Sequence, residues 1–288
     1  MLNALTIDVE DYFQVNAFAR TVRMEDWDRY PLRVDRNIGR VLELLARYHI
    51  RATFFILGWV AQRLPELVKD IQRNGHEIAC HGHAHQLVYR IGPQRFREDI
   101  HRAKALLEDL GGVKVNGYRA PSYSITRQSL WALDILVEEG FGYDSSIFPV
   151  VHDTYGIPDA NRFPHTIETE AGLLREFPLT TLPLKIGWKQ VRLPIAGGGY
   201  LRLLPVETIR KGIDAVNNNE LQPAVLYFHP WEIDPAQPRI KAGIISTFRH
   251  YLNLKRTEGK LIHLFERLRF APMGQVLEGG LPHERPGC

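Results

Sequence analysis

Three histidines fall within five residues in the run Ala79-Cys80-His81-Gly82-His83-Ala84-His85, at the end of a short apolar stretch. If this run opens a helical turn, His81 and His85 share a face with Cβ atoms roughly 5–6 Å apart, close enough for two imidazole nitrogens to meet one ion at about 2.0–2.1 Å. His83 then points elsewhere. Near the N-terminus, Asp8 and Glu10 are two residues apart, so in extended chain they face one side, roughly 6–7 Å from each other. One of them can hold a metal while the other takes a proton. Two histidines and a carboxylate with a position left for water form an open arrangement for zinc or a similar divalent ion. Such a site activates water for attack on a carbonyl, and it needs a base for the water and an acid for the leaving group. His229 is the candidate acid, with Asp144 placed to orient it and raise its pKa. Arg119 can form a charge-assisted pair with Asp8. Each residue alone also fits a plain structural role, as a polar strand end or a surface ion pair.

The elements that must position these residues alternate. Residues 3–8 are β-prone and end among acids, then Ile38, Val41, Leu42, Leu44 and Leu45 mark one helical face. Ala52–Leu57 reads as a buried strand, apolar on both faces as when helices cover it. The pattern repeats through a helical stretch split at Pro65, a strand at 76–80, a helix from Phe96 to Leu110, a strand at 115–119, a helix around Leu133 and a short extended piece at 141–144. From about 148 to 204 prolines break the chain into short strand-like pieces, read as loops and hairpins. A helix through Ile209 and Val216, a strand at 224–228 ending at His229, a helix over 239–257 and a short run at 260–263 complete it. The expectation is α/β: one domain over 1–275, a parallel barrel or barrel-like fold with its site at the carboxyl ends of the strands, and a loose tail over 276–288.

Composition narrows the classes. At 288 residues, with 44% hydrophobic and 24% charged residues, the chain is ordinary for a globular protein. A net charge of +3, spread over scattered arginines, gives no reason to expect nucleic acid as a partner. Two cysteines, Cys80 and Cys288, make no disulfide framework. No apolar run reaches the roughly 20 residues needed to span a bilayer, and the N-terminus lacks the pattern of a signal peptide. A cytoplasmic location, or one peripheral to a membrane, is the corresponding expectation.

Taken in order, Asp8 in Thr-Ile-Asp-Val-Glu-Asp, His-Gly-His-Ala-His at 81–85, Arg119-Ala-Pro121, Tyr143-Asp144-Ser145 and Leu226-Tyr-Phe-His229 resemble the five motifs of the NodB-type polysaccharide deacetylases. The strand Ala52–Gly58 is similar to that family's second strand, and the resemblance covers about residues 3–265. It implies a distorted (β/α) barrel that hydrolyses N-acetyl groups on the sugars of a polysaccharide with a divalent metal, commonly zinc. Asp8 would be the base, His81 and His85 metal ligands, Arg119 the partner of Asp8, His229 the acid and Asp144 its support. The backbone N–H of Ser122 would help bind the oxyanion. The first motif departs from the usual adjacent aspartates, and members that space the acids by one residue imply Glu10 as third ligand, with Asp11 as second choice. The Asp8–Phe13 start and the Gly197–Arg202 segment most resemble a bacterial subgroup tied to exopolysaccharide and exosortase loci. Tyr200, Arg202, Trp231 and Trp188 are candidate sugar contacts. A small-amide hydrolase on the same fold and a non-catalytic sugar-binding domain are the alternatives.

Overall fold

The computed structural model describes residues 1–279 apart from Trp188 and Ala196, so the expectations for Trp188, for Cys288 and for the tail over 280–288 lie outside the described residues. Eleven strands are present among the described residues: β1 Leu2–Val9, β2 Thr53–Ile56, β3 Glu77–Cys80, β4 Gly117–Tyr118, β5 Tyr143–Asp144, β6 His165–Thr169, β7 Gly172–Glu176, β8 Thr181–Ile186, β9 Lys189–Pro194, β10 Val225–Phe228 and β11 Arg269–Ala271. The main sheet runs β10-β1-β2-β3-β4-β5-β7-β6, with β11 also on β1. All its neighbours are parallel except the β6/β7 hairpin. This is the wall of a distorted (β/α) barrel, with β8 and β9 forming a separate antiparallel hairpin within the proline-rich stretch.

Strand parity divides the wall into two faces, because successive side chains point to opposite sides. Ala4, Phe55, Ala79, Tyr143, Val225 and Tyr227 pack together in one buried cluster inside the barrel. Leu5, Ile7, Phe54, Ile56, Ile78, Cys80, Tyr118, Leu226 and Phe228 belong to a second cluster, shared with the helices outside. Burial on both sides explains why β2 reads as an unbroken apolar run. Helix Val34–Arg47 contributes Ile38, Val41, Leu44 and Leu45 to the outer layer, as its spacing predicts. The expected break at Pro65 is also present, with helices Gly58–Arg63 and Pro65–Arg73 on either side.

Three expectations are corrected at the C-terminal end. The helical stretch expected over 239–257 is two helices, Ile244–Tyr251 and Leu254–Phe265, separated by Asn253 in a left-handed conformation (φ 56°). The run at 260–263 is therefore helical, and the last strand is β11 instead. Residues 276–278 are not loose, since helix Met273–Glu278 places Met273 and Leu277 in the inner cluster. This helix closes one end of the barrel through Met273 N–H to Thr53 Oγ1 (2.7 Å) and Gly274 N–H to Glu77 Oε2 (3.0 Å). Among the described residues no helix is long and apolar enough to cross a membrane.

Candidate active site

The same parity delivers the chemistry. Continuing the inner face past the strand ends, Ala4, Thr6, Asp8 and Glu10 lie on one side of β1, Ala79 leads to His81, and Tyr227 leads to His229. Tyr118 faces the outer cluster, so its neighbour Arg119 turns inward. These side chains line one cavity of about 720 Å³ that holds Asp8, Glu10, His81, His85, Ser122, Tyr123 and His229.

Glu10, His81 and His85 present ligand atoms that all lie within 4.8 Å of one another. His81 Nδ1 is 2.8 Å from the Arg119 carbonyl oxygen, which fixes the N–H on Nδ1 and leaves Nε2 for the cavity. Burial pulls the His81 pKa down to about 4, so the ring is neutral. Glu10 Oε2 is buried and makes no hydrogen bond, although His85 Nε2 is 2.7 Å away. Burial alone would raise the Glu10 carboxyl, but His85, His229 and His81 bring it down to about 2. An ionised carboxylate with an unsatisfied buried oxygen beside two imidazoles fits a borderline divalent cation such as zinc.

The His81–His85 segment is not a helical turn, contrary to expectation. It is a loop in which Gly82 (φ 72°) and His85 (φ 51°) are left-handed, and it brings the two rings to 5.6 Å between centroids. Asp99, on helix Val88–Gly111, staples this loop: its carboxylate accepts from His83 N–H (2.7 Å) and Ala84 N–H (3.2 Å). His83 is buried against Gly58, where an added Cβ would meet His83 Nδ1 at 2.3 Å, so it stands apart from the ligands.

Asp8 Oδ1 accepts from Arg119 Nη1 at 2.7 Å, and Arg119 also reaches Thr6 Oγ1, Ser145 Oγ and the Ser145 carbonyl while its guanidinium lies over Phe55. Asp8 Oδ2 is 3.4 Å from the Tyr123 hydroxyl and 3.9 Å from His229 Nε2. His229 Nε2 is also 3.2 Å from Glu10 Oε1. Burial would lower the His229 pKa, but Glu10, Glu232 and Asp8 push it up to about 9. Ser122 and Tyr123 hold φ values of 52° and 54°, two successive left-handed non-glycine residues of the kind stored at functional sites.

Five expected residues sit differently. Asp144 does not touch His229: Tyr143 faces inward, so Asp144 faces outward, where Ser146 Oγ donates to it at 2.5 Å and its register partner is Glu176. Glu232 takes the expected place, with Oε2 2.9 Å from His229 Nδ1. Asp11 is turned away from the histidines and accepts the backbone N–H groups of Tyr12, Arg33 and Val34. Arg202 is buried and spends its guanidinium on Glu232 (2.6 Å) and the His250 carbonyl (2.7 Å). Trp231, 4% exposed, is stacked between His229 and His250, so its faces are covered. Tyr200 is half-buried and hydrogen-bonded to Tyr155 outside the metal-ligand cluster.

Known proteins resemble parts of this chain. The polysaccharide deacetylase family model matches residues 26–136, and residues 145–278 match one described as "Domain of unknown function (DUF3473)". The "peptidoglycan deacetylase-like protein FGM2" of Gibberella zeae is 34% identical over 113 residues, 38% of this chain and 32% of that protein. The "peptidoglycan-N-acetylglucosamine deacetylase" of Bacillus cereus is 30% identical over 96 residues, 33% of this chain and 35% of that protein. The chain thus spans about a third of the length of these curated relatives. A solved structure from Mycobacterium smegmatis, assigned as a polysaccharide deacetylase, superposes with a TM-score of 0.61 at 22% identity, covering 100% of this chain and 94% of that one, which establishes the shared fold. Residues 26–136 thus match the polysaccharide deacetylase family and the chain shares its fold with a solved structure, while the motifs at the ends of β1, β3, β4 and β10 resemble those of the NodB-type polysaccharide deacetylases.

Proposed function

We propose that the chain is a metal-dependent hydrolase that removes N-acetyl groups from the amino sugars of a polysaccharide, in bacterial exopolysaccharide or cell-envelope metabolism. The observation that carries this reading is the convergence of Glu10, His81 and His85 beside Asp8 and His229 in one open cavity. A divalent ion held by those three, zinc among the borderline cations that two imidazoles and a carboxylate suit, would supply Lewis-acid activation of water and of the amide carbonyl. Asp8 takes the proton of the attacking water at Oδ2, because Oδ1 is occupied by Arg119. The Ser122 N–H stabilises the oxyanion of the tetrahedral species. His229 gives the Nε2 proton to the departing sugar amine while Glu232 holds Nδ1–H. The products are a free amino sugar and acetate.

Arg119 keeps Asp8 oriented, its guanidinium packed between Asp8, Ser145 and Phe55. A complete set of base, acid, ligands and oxyanion donor argues against a non-catalytic sugar-binding domain, and the named deacetylase relatives favour N-acetylated glycans over small amides. The test is acetate release from N-acetylated oligosaccharides by the zinc-loaded protein. Release that disappears in Asp8→Asn supports the reading; a folded, zinc-loaded protein inert on a broad glycan panel refutes it.

A further inference from the structure

Helix Ile244–Tyr251 carries an apolar face that no part of the described chain covers. Ile244 is 89% exposed, Ile245 68% and Phe248 64%. At 100° per residue these three fall within one 100° arc, with the buried His250 on the opposite side. Large apolar side chains gathered on one exposed face mark a contact surface. The flanking sequence is one-sided in charge: from Pro235 to Thr257 it has Arg239, Lys241, Arg249, Lys255 and Arg256 and no Asp or Glu, against the single Asp153 of the neighbouring 151–155 loop. All five cations are exposed, and none is in an ion pair among the described residues.

This face borders the catalytic opening. Ser246, Arg249 and His250, on the same helix, line the cavity that holds Asp8 and His229. The loop on the other side of the mouth also lines that cavity and exposes Val151, at 84%. The Arg249 charge acts on both His152 and Tyr155 of that loop, so helix and loop form one rim.

We propose that this rim docks on an anionic phospholipid surface, with Ile244, Ile245 and Phe248 entering the headgroup region and the five cations meeting the lipid phosphates, so that the catalytic opening faces glycan at the membrane. A short amphipathic helix with an apolar face and a cationic flank binds interfaces by these two contributions together, and each Lys or Arg adds attraction to an anionic leaflet. A neutral or acidic protein patch would satisfy only one of the two features. The docking itself does not depend on the deacetylase reading, since it concerns where the opening is held; only the clause that glycan lies at the opening rests on that reading.

The test is co-sedimentation of the chain with vesicles of phosphatidylcholine and phosphatidylglycerol, and with phosphatidylcholine alone, at low and high salt. The expected result is binding to the anionic vesicles that weakens with salt and falls at least tenfold in Ile245→Glu/Phe248→Glu and in Arg239→Glu/Lys241→Glu. Unchanged thermal melting establishes that both variants fold, and none of these four residues touches the reacting groups. Acetate release from a short soluble oligosaccharide stays within twofold of wild type in both. No binding to anionic vesicles overturns the proposal, as does binding that both variants retain. Sedimentation showing a wild-type dimer that Ile245→Glu/Phe248→Glu dissociates, without vesicle binding, assigns the face to a second copy and overturns it too.

Discussion

Glu232 holds His229 at two points: its Oε2 accepts the backbone N–H of His229 at 2.9 Å and lies 2.9 Å from the ring Nδ1. Arg202 grips the other carboxylate oxygen at 2.6 Å. Burial would raise the Glu232 pKa, but Arg202 and His229 bring it down to about 2, so a fixed negative charge stands behind the imidazole. The protonated ring is therefore held with Nδ1–H on Glu232 and Nε2–H toward the cavity.

Glu232→Gln keeps the shape and removes that charge. The His229 pKa is raised partly by Glu232, so it falls in the variant. A general acid must be protonated to act, and activity is lost as pH rises through its pKa. The alkaline limb of kcat/KM should move to lower pH, and kcat should drop by roughly 10²-fold at neutral pH. A pH–rate profile checks this; an unmoved alkaline limb excludes Glu232 as the partner of the acid.

Glu10 and Asp11 are adjacent and opposite in role. Removing Glu10 takes one of the three proposed ligands, and Glu10→Ala should retain less than a tenth of the bound zinc, read by metal analysis, while still folding. Asp11 accepts three backbone N–H groups, and orphaning a buried donor costs about 1–3 kcal/mol. Asp11→Ala should melt several degrees lower and keep a full metal complement. The reverse pattern would make Asp11 the third ligand.

Asp144 and Glu176 are register partners, both fully buried. Burial pushes Asp144 up to about 6 and Glu176 well above the usual carboxyl range, with the two carboxyls sharing a hydrogen bond. The folded state thus keeps protons that the unfolded chain sheds near pH 4. Stability from this pair is fully present below about pH 4 and is lost as pH rises through the folded values. Glu176→Gln supplies the bridging hydrogen permanently. The variant should melt about 2–4 °C above wild type at pH 8 and show no gain at pH 4, as thermal denaturation at the two pH values would reveal.

Much of the site was legible because strand ends of a parallel barrel meet at one face, and Asp8, His81, Arg119 and His229 all follow inward-facing strand positions. The same rule misplaced Asp144, since a strand end fixes the height of a residue and parity fixes its side; Tyr143, one residue earlier, is the inward one. Glu232 was missed, although His229-Pro230-Trp231-Glu232 has the marks of a helical start, with proline at the first position and a carboxylate at the third. The buried ion pair of Arg202 with Glu232 joins segments 30 residues apart and leaves no periodic trace. The helical reading of 81–85 failed because Gly82 and His85 adopt left-handed angles that spacing does not report.

Asp99 lies on a helix that sequence spacing assigns wholly to packing, yet its carboxylate holds the loop between His81 and His85. Burial raises its pKa, opposed by the His83 and Ala84 N–H groups it accepts. Gly82 is shaped around it: an added Cβ would sit 2.8 Å from Asp99 Oδ2, at a φ of 72° that already disfavours a side chain. Without the staple the loop can relax, and His81 and His85 no longer arrive together. Asp99→Ala should keep all three ligands yet weaken zinc binding by about 10–100-fold, the usual effect of losing support behind a ligand set. Activity should recover at saturating zinc, because Asp8 and His229 are untouched. Metal titration with a competing chelator measures the affinity, and an affinity equal to wild type would leave Asp99 as a packing residue only.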